Sequence, residues 1–265
     1  MLSISVENRV KRKLKAGELT LCMAINQMRT ADAAMIAAAC GFDAIFVDLE
    51  HSPTSLESAS LLCLAALGAG ITPIARVASH DSHDATRILD SGAQGIMVPH
   101  VENAEQAAAV VRNCKYPPLG HRSASGTGPA LRYQSLPQGE INRYINDEVL
   151  LIALLETPAA VENAEAIAAV PGIDVLHVGS LDISNELGIP GAYHDPRMRA
   201  VYQNVITACR THDKAMGVGG ARGDFELQSD LIQLGVRYLT SGSDVSYLMS
   251  AARGEVNALR ALKLL

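Results

Sequence analysis

Two carboxylates that each follow a short apolar segment are the residues best suited to chemistry in this sequence. Glu156 comes directly after the apolar residues 150–155, and Asp182 follows the short, mainly apolar strand pattern at residues 174–178 and a Gly-Ser turn. Carboxylate oxygens are preferred ligands of hard divalent cations, and neither segment offers a thiolate or a pair of histidines. The two segments therefore predict a site for Mg²⁺ or Mn²⁺, with Co²⁺ or Zn²⁺ as alternatives, held by Glu156 and Asp182.

A base and a cation follow two other apolar segments of the same kind. His51, with Asp48 and Glu50 just before it, follows the second segment of the chain, and Arg76 follows the third. A divalent cation that binds a 2-oxo acid polarises the ketone and makes the neighbouring carbon easier to deprotonate. His51 is then the candidate general base, and Arg76 is the candidate cation that stabilises an enolate oxygen.

Two glycine-containing turns are candidates for substrate binding. The backbone amides of Leu181 and Asp182 lie at a predicted helix N-terminus, a position that suits a substrate carboxylate. The hydroxyl of Ser180 lies beside them, and Val218 lies in a glycine-rich turn at residues 217–220 that lets the backbone approach a ligand. No lysine closes an apolar segment, so a Schiff-base aldolase is poorly supported.

An alternation of strand and helix patterns positions these residues. Strands that are apolar throughout are typical of parallel sheets covered by helices, and the C-terminal ends of such strands carry the chemistry in barrels. Eight units favour one (β/α)8 TIM barrel over residues 1–265, with an extra N-terminal helix. A doubly wound open sheet is the alternative, without a GxGxxG or P-loop motif in its favour. The strands are predicted at residues 19–25, 43–47, 72–75, 95–98, 150–155, 174–178, 215–218 and 237–240.

The composition argues against several classes of protein. A net charge of −6 over 265 residues is opposite to the basic surface of a nucleic-acid-binding protein. No apolar run approaches the roughly 18 residues of a membrane-spanning helix, and the charged N-terminus lacks the core of a signal peptide. Five scattered cysteines without a CxxC pair indicate a reduced, cytoplasmic protein.

A long segment at residues 113–139 interrupts the alternation and is rich in Gly, Pro and Ser. A segment of this length within a compact domain is usually a functional lid or a disordered insert. We therefore expect it to provide a lid for the candidate site and to influence the length of the substrate.

The sequence Asp-Leu-Glu-His-Ser-Pro at residues 48–53 begins a series of motifs that share one pattern. It resembles the D-x-E-H-(A/S)-P signature of the metal-dependent 2-oxo-acid aldolases of the HpcH/HpaI type, in the aldolase and citrate lyase family. The resemblance runs from about residue 19 to residue 262. The other resembling segments are Arg76-Val77, residues 89–95, Val98-Pro99, residues 116–122, Glu156 with the helix after it, and residues 178–184.

The resemblance implies a (β/α)8 barrel whose last helix is swapped between subunits of a homohexamer, a trimer of dimers. It implies reversible aldol cleavage of a 4-hydroxy-2-oxo acid to pyruvate, or a close relative, and an aldehyde. It also implies Glu156 and Asp182 as metal ligands, His51 as the base and Arg76 on the keto or enolate oxygen.

Two more carboxylates and two departures belong to the same comparison. The resemblance implies that Asp90 of a neighbouring subunit supports His51, and Asp48 of the signature is a further catalytic candidate. The family commonly has Gln at the position of Leu154 and Pro at the position of Ser180. These departures leave the metal ligands and the base intact, so they bear on the substrate and the reaction rather than on metal binding.

Two alternatives to an aldolase are open from the sequence. One is a citrate-like synthase or lyase of the same fold that acts on a thioester. The other is a barrel that binds a 2-oxo acid without catalysis. The presence of His51 and Arg76 argues against the second alternative, because binding alone needs the metal and a carboxylate pocket but no base.

Overall fold

Eight parallel strands close into a barrel in the order in which they occur in the chain. The computed structural model describes residues 7–79 and 83–262, so the two ends of the predicted domain lie outside the described residues. β1 pairs with β2 and also with β8, which closes the ring and confirms the (β/α)8 TIM barrel. The strands are β1 (Thr20–Ile25), β2 (Ala44–Asp48), β3 (Thr72–Arg76), β4 (Gly95–Val98), β5 (Leu150–Leu155), β6 (Val175–Gly179), β7 (Ala215–Gly219) and β8 (Tyr238–Ser243).

Helices lead into the barrel and connect successive strands on its outside. None of the helices in the described part of the chain combines the length and apolar character that a membrane crossing requires. The helices are α1 (Arg9–Lys15), α2 (Asp32–Ala39), α3 (Leu56–Ala69), α4 (Asp84–Asp90), α5 (Ala104–Cys114), α6 (Gln138–Glu148), α7 (Pro158–Glu162), α8 (Ala164–Ala168), α9 (Ser180–Glu186), α10 (Pro196–Thr211), α11 (Phe225–Leu234) and α12 (Asp244–Arg260).

The segment at residues 113–139 does not cover the candidate site of the same chain, as a lid would. A short 3-10 helix at Pro129–Leu131 interrupts it, and α6, which the sequence analysis did not predict, follows it. The segment lies at the N-terminal end of the strands, because α5 returns the chain to that end. There the amide of Tyr116 donates to Asn146 Oδ1 of α6 at 2.7 Å. The expectation of a lid for the same chain is therefore wrong.

The core has two layers, one inside the barrel and one between the strands and the helices. The inner layer is closed from the N-terminal end by α1, whose Val10 is fully buried. Lys11 fixes this helix, since its Nζ donates to the carbonyl of Val149 at 2.8 Å and lies 3.0 Å from Asp174 Oδ1. These partners immediately precede β5 and β6, so α1 seals the end of the barrel that is remote from the candidate site.

His177 of β6 occupies the inner layer below the ends of the strands. Its ring packs edge-on against Tyr238, with 5.7 Å between ring centroids. A Cβ atom at Gly217 would lie only 2.7 Å from Cδ2 of His177, so the imidazole requires a glycine on the neighbouring strand. Burial, together with the charge of Arg76, lowers the pKa of His177 to about 3, and the ring is neutral at physiological pH.

The last helix, α12, is anchored at its first residue and exposed along its length. Asp244 is the buried residue of this helix, and its carboxylate accepts hydrogen bonds from the amides of Asn26, Gln27 and Met28. The apolar side chains of the helix are exposed, against the usual preference for burial. They are Val245, Leu248, Met249, Val256 and Leu259.

Candidate active site

The ends of β2 and β3 bring the predicted Asp48 and Arg76 together as partners in the strand register. Arg76 donates through Nε to Asp48 Oδ1 at 3.0 Å and through Nη2 to Asp48 Oδ2 at 2.6 Å. Burial favours the neutral acid, but the guanidinium and the amides of His51 and Glu50 hold the pKa of Asp48 below its ordinary value. The two side chains therefore form a charged pair at the mouth of the barrel, which is the end where the C-termini of the strands lie.

Asp48 also shapes the turn that carries the candidate base. Its Oδ1 accepts hydrogen bonds from the amide of Glu50 at 3.1 Å and from the amide of His51 at 3.2 Å. The side chain of His51 is 62% exposed, and its Nε2 lies 3.7 Å from Glu50 Oε2. The backbone of His51 is fixed while the ring faces solvent at the mouth, an arrangement that leaves it accessible for proton transfer.

Glu50 lies between the charged groups, although the sequence analysis gave it no role. One carboxylate oxygen is 3.3 Å from Arg76 Nη1 and the other is 3.3 Å from His100 Nε2. The oxygen that faces Arg76, Oε2, is buried, and no described residue donates to it in hydrogen-bond geometry. A buried carboxylate oxygen in this state indicates a place where an ordered water or a ligand completes the hydrogen bonding.

The two predicted metal ligands converge at the end of β6. A Cβ atom at Gly179 would lie 2.9 Å from Cγ of Glu156 and 3.6 Å from Oδ2 of Asp182. Burial raises the pKa of Glu156, and the charges of Glu50 and Asp182 raise it further, while contacts with His100 oppose the shift. Glu156 is thus a buried carboxylate in a cluster of negative charge, which favours binding of a cation.

This donor set fits a hard divalent cation that keeps open positions. Within residues 7–79 and 83–262, no group of three or more His, Cys, Asp or Glu side chains is arranged as a ready set of ligands. Mg²⁺ and related ions are commonly held by one or two carboxylates, with water and substrate oxygens in the other positions. Glu156 and Asp182 match that pattern, and Oε2 of Glu50, buried beside Arg76 without a hydrogen bond, offers an acceptor for such water.

His100 is a second residue at the mouth, after Glu50, that was not among the predicted site residues. It follows β4 after Pro99, and its backbone amide donates to Glu156 Oε2 at 3.0 Å. The same oxygen lies 3.1 Å from His100 Nδ1, and the backbone of His100 has a positive φ of 55°. Its position after an apolar strand was the signal available in the sequence.

The predicted substrate-binding residues occupy three different environments. Leu181 is 51% exposed at the mouth, whereas Ser180 is buried and its Oγ accepts a hydrogen bond from the Tyr202 hydroxyl at 3.0 Å. A Cβ atom at Gly220 would lie 3.6 Å from the amide of Leu181, so the glycine-rich turn does approach this helix start. The side chain of Val218 packs in the outer core layer, and its backbone lies within β7, paired with Val178 of β6 and Leu239 of β8.

Asp90 does not join the other candidates within its own chain. It ends α4, at the N-terminal end of the barrel, where its Oδ1 accepts from Arg122 Nη2 at 2.5 Å. The guanidinium of Arg122 stacks on the ring of Tyr116 at 4.7 Å from its centroid. Asp90 can therefore reach a mouth only if that mouth belongs to another subunit.

Comparison with known proteins gives consistent results over nearly the whole chain. Residues 25–251 match the profile of the family described as HpcH/HpaI aldolase/citrate lyase. The 4-hydroxy-4-methyl-2-oxoglutarate aldolase cghB of Chaetomium globosum is 39% identical to this chain over 248 residues, with 92% of each chain covered.

Solved structures of other proteins also superpose on nearly the whole chain. An HpcH/HpaI aldolase from Desulfitobacterium hafniense superposes with a TM-score of 0.90 and 30% identity, covering 96% of this chain and 97% of that one. The citrate synthase SbnG superposes with a TM-score of 0.84 and 27% identity, covering 97% of this chain and 98% of its own.

Proposed function

Because the chain belongs to the HpcH/HpaI aldolase/citrate lyase family, we propose that it is a divalent-metal-dependent aldolase. The reaction is the reversible cleavage of a 4-hydroxy-2-oxo acid to pyruvate, or a close 2-oxo acid, and a carbonyl compound such as an aldehyde. One observation carries this proposal. Glu156 and Asp182 converge on Gly179 at the same mouth that holds the cation of Arg76 and the exposed ring of His51.

The metal, Mg²⁺ or Mn²⁺ with Co²⁺ or Zn²⁺ as alternatives, would be held by Glu156 and Asp182. When bound, such an ion acts as a Lewis acid on the ketone of the substrate. The preference for a hard ion rests on the two carboxylates and on the absence of thiolates at the described strand ends.

The residues of the chain divide the remaining work. In cleavage, His51 takes the proton of the 4-hydroxyl, the C3–C4 bond breaks, and a proton is later delivered to C3 to form the methyl group of pyruvate. Arg76 stabilises the negative charge on the substrate oxygen, and Asp48 holds the guanidinium in one orientation. The amides of Leu181 and Asp182 bind the substrate carboxylate, and Ser180 fixes the start of that helix through its hydrogen bond with Tyr202.

The acceptor is proposed to be small and to include a carbonyl acid. The relative cghB is named for 4-hydroxy-4-methyl-2-oxoglutarate, whose cleavage between C3 and C4 yields two molecules of pyruvate. This cleavage and cleavage to an aldehyde both proceed through the enolate of pyruvate. The two reactions differ only in the carbonyl compound that is released with it. We propose the same substrate class for this chain because the similarity covers 92% of both chains.

A second candidate function is a citrate-like synthase or lyase, favoured by the likeness to the citrate synthase SbnG. A barrel that binds a 2-oxo acid without catalysis is disfavoured by the presence of an accessible base and a cation at the mouth. Release of pyruvate from a 4-hydroxy-2-oxo acid without any thioester would distinguish the aldolase from both.

The assembly proposed is a homohexamer, a trimer of dimers with α12 swapped between subunits. The exposed apolar side chains of α12 support it, since they would be buried by a neighbouring barrel. The position of Asp90 also supports it, because this carboxylate would support His51 only across a subunit interface. The five unpaired cysteines support a reducing, cytoplasmic location.

Pyruvate proton exchange tests the proposal directly. Pyruvate in deuterated water with Mg²⁺ or Mn²⁺ should lose its methyl proton signal in the presence of the protein, and chelation should stop this loss. Exchange establishes enolate chemistry and leaves only the acceptor to be screened. A metal-loaded protein that catalyses no exchange would contradict an aldolase that uses pyruvate.

A further inference from the structure

His100 contacts the metal-site carboxylates in two ways at once. Its backbone amide and its Nδ1 both lie against Oε2 of Glu156, at 3.0 Å and 3.1 Å. Both contacts fall on Oε2, and neither reaches the other oxygen, Oε1. His100 therefore occupies one oxygen of this carboxylate and leaves the second one to other ligands.

The other edge of the imidazole extends this contact toward Arg76. Nε2 of His100 lies 3.3 Å from Glu50 Oε1, and Glu50 Oε2 lies 3.3 Å from Nη1 of Arg76. A chain of polar contacts thus runs from Glu156 through His100 and Glu50 to Arg76 and Asp48. It connects Glu156, the predicted metal ligand, to Arg76, the cation predicted to stabilise the enolate oxygen.

The backbone of His100 supports a functional reading of this arrangement. A non-glycine residue with φ of 55° is uncommon, and such conformations cluster at ligand sites. This conformation turns the amide and the ring of His100 toward the same carboxylate. The ring remains 59% exposed, so burial of apolar surface does not account for its position.

We propose that His100 is a positioning residue of the metal site, which orients Glu156 so that its free oxygen faces the divalent ion. Groups that hold a metal ligand by its second polar atom fix the orientation of that ligand and raise metal affinity. This inference rests on the proposed function for the identity of Glu156 as a ligand. It adds a residue of β4's end to a site otherwise formed by the ends of β5 and β6.

The test measures the affinity of the full-length protein for Mn²⁺ by isothermal titration calorimetry. His100→Gly removes the ring but tolerates the positive φ, and should weaken Mn²⁺ binding by about 10- to 100-fold. His100→Asn restores a side-chain N–H donor on a residue that also tolerates this φ, and should recover much of the affinity. His212→Asn, at the C-terminal end of α10 and remote from the mouth, is the matched control and should bind like wild type.

Each outcome decides between the proposals. Unchanged Mn²⁺ affinity in His100→Gly would overturn the positioning role, and so would an Asn variant no better than the Gly variant. If wild type and Glu156→Gln fail equally to bind Mn²⁺, both proposals are wrong. If the expected pattern of affinities appears but pyruvate proton exchange is absent, the role of His100 stands and the aldolase proposal is wrong.

Discussion

Asp48 and Arg76, on adjacent strands, meet through two parallel hydrogen bonds of 3.0 Å and 2.6 Å. The aspartate is completely buried, and the guanidinium also lies over the ring of Phe46, 5.6 Å from its centroid. A guanidinium that donates two hydrogen bonds to one carboxylate has little freedom to rotate. Charge-assisted pairs of this geometry are among the stronger interactions in proteins. The cation at the mouth is therefore oriented before substrate arrives.

Arg76→Ala should lower kcat/KM for aldol cleavage by about 10²- to 10³-fold, the usual effect of losing one oxyanion donor. Arg76→Lys should recover little of this loss, because an ammonium cannot reproduce the two-pronged contact with Asp48. Steady-state kinetics on a 4-hydroxy-2-oxo acid measures both effects. Turnover close to wild type in Arg76→Ala would retire the proposed role.

Glu156→Gln and Asp182→Asn should each lose the metal and the activity together, because each removes one of two carboxylate ligands. Metal content after gel filtration, with turnover measured on the same samples, checks this expectation. An Asp182→Asn protein that is both loaded with metal and active would show that Asp182 is not a ligand.

His51→Ala should keep its metal but lose pyruvate proton exchange by about 10²-fold or more, which is typical for removal of a general base. The ring is 62% exposed and its Nε2 lies 3.7 Å from the Glu50 carboxylate, so the fold should tolerate the change. NMR exchange rates at saturating Mn²⁺ make the measurement. An undiminished rate would assign the proton transfer to another group.

Gly179→Ala should displace Glu156, since the new Cβ would lie 2.9 Å from Cγ of that residue. Misplacement of a catalytic group by about 1 Å can cost on the order of 10²-fold in rate, and weaker Mn²⁺ binding should accompany the loss. Gly68→Ala on α3, where an added Cβ contacts nothing within 4 Å, is the matched control. Equal metal affinity in both variants would argue against convergence of the ligands at Gly179.

His177 should make the folded state sensitive to acid. Its pKa is lowered to about 3 by burial and by the charge of Arg76, against about 6.5 in an unfolded chain. Between these two values the unfolded state holds the extra proton, so the free energy of unfolding falls as the pH drops from about 6.5 toward 3.

His177→Gln should remove this contribution, which can reach about 1.4 kcal/mol per pH unit for one proton. Urea unfolding of wild type and variant at several pH values between 6.5 and 4 gives the free energy of unfolding of each. The difference between the two proteins isolates the contribution of His177, because the carboxylates that titrate in this range are common to both. Parallel stability curves would show that folding does not lower the pKa of His177.

The order of the strands and most helix boundaries could be predicted from local pattern. Continuous apolar runs such as Leu150–Leu155 are buried on both faces, and the caps and glycines that end the helices act within a few residues. The helix α6 was missed although Ile141 and Ile145, four residues apart, form its buried face. Polar residues between them and the Gly- and Pro-rich segment before them concealed that spacing.

The sequence by itself determined that eight strands alternate with helices and which side chains follow each strand, because both depend on periodicities within one strand or helix. Only the tertiary structure decided which of those side chains meet. It joined His100 to Glu156, placed Glu50 between His100 and Arg76, and put Asp90 with residues 113–139 at the opposite end of the barrel. These relationships depend on closure of the strands into a ring and on the direction of each returning helix, and neither is encoded in any single segment.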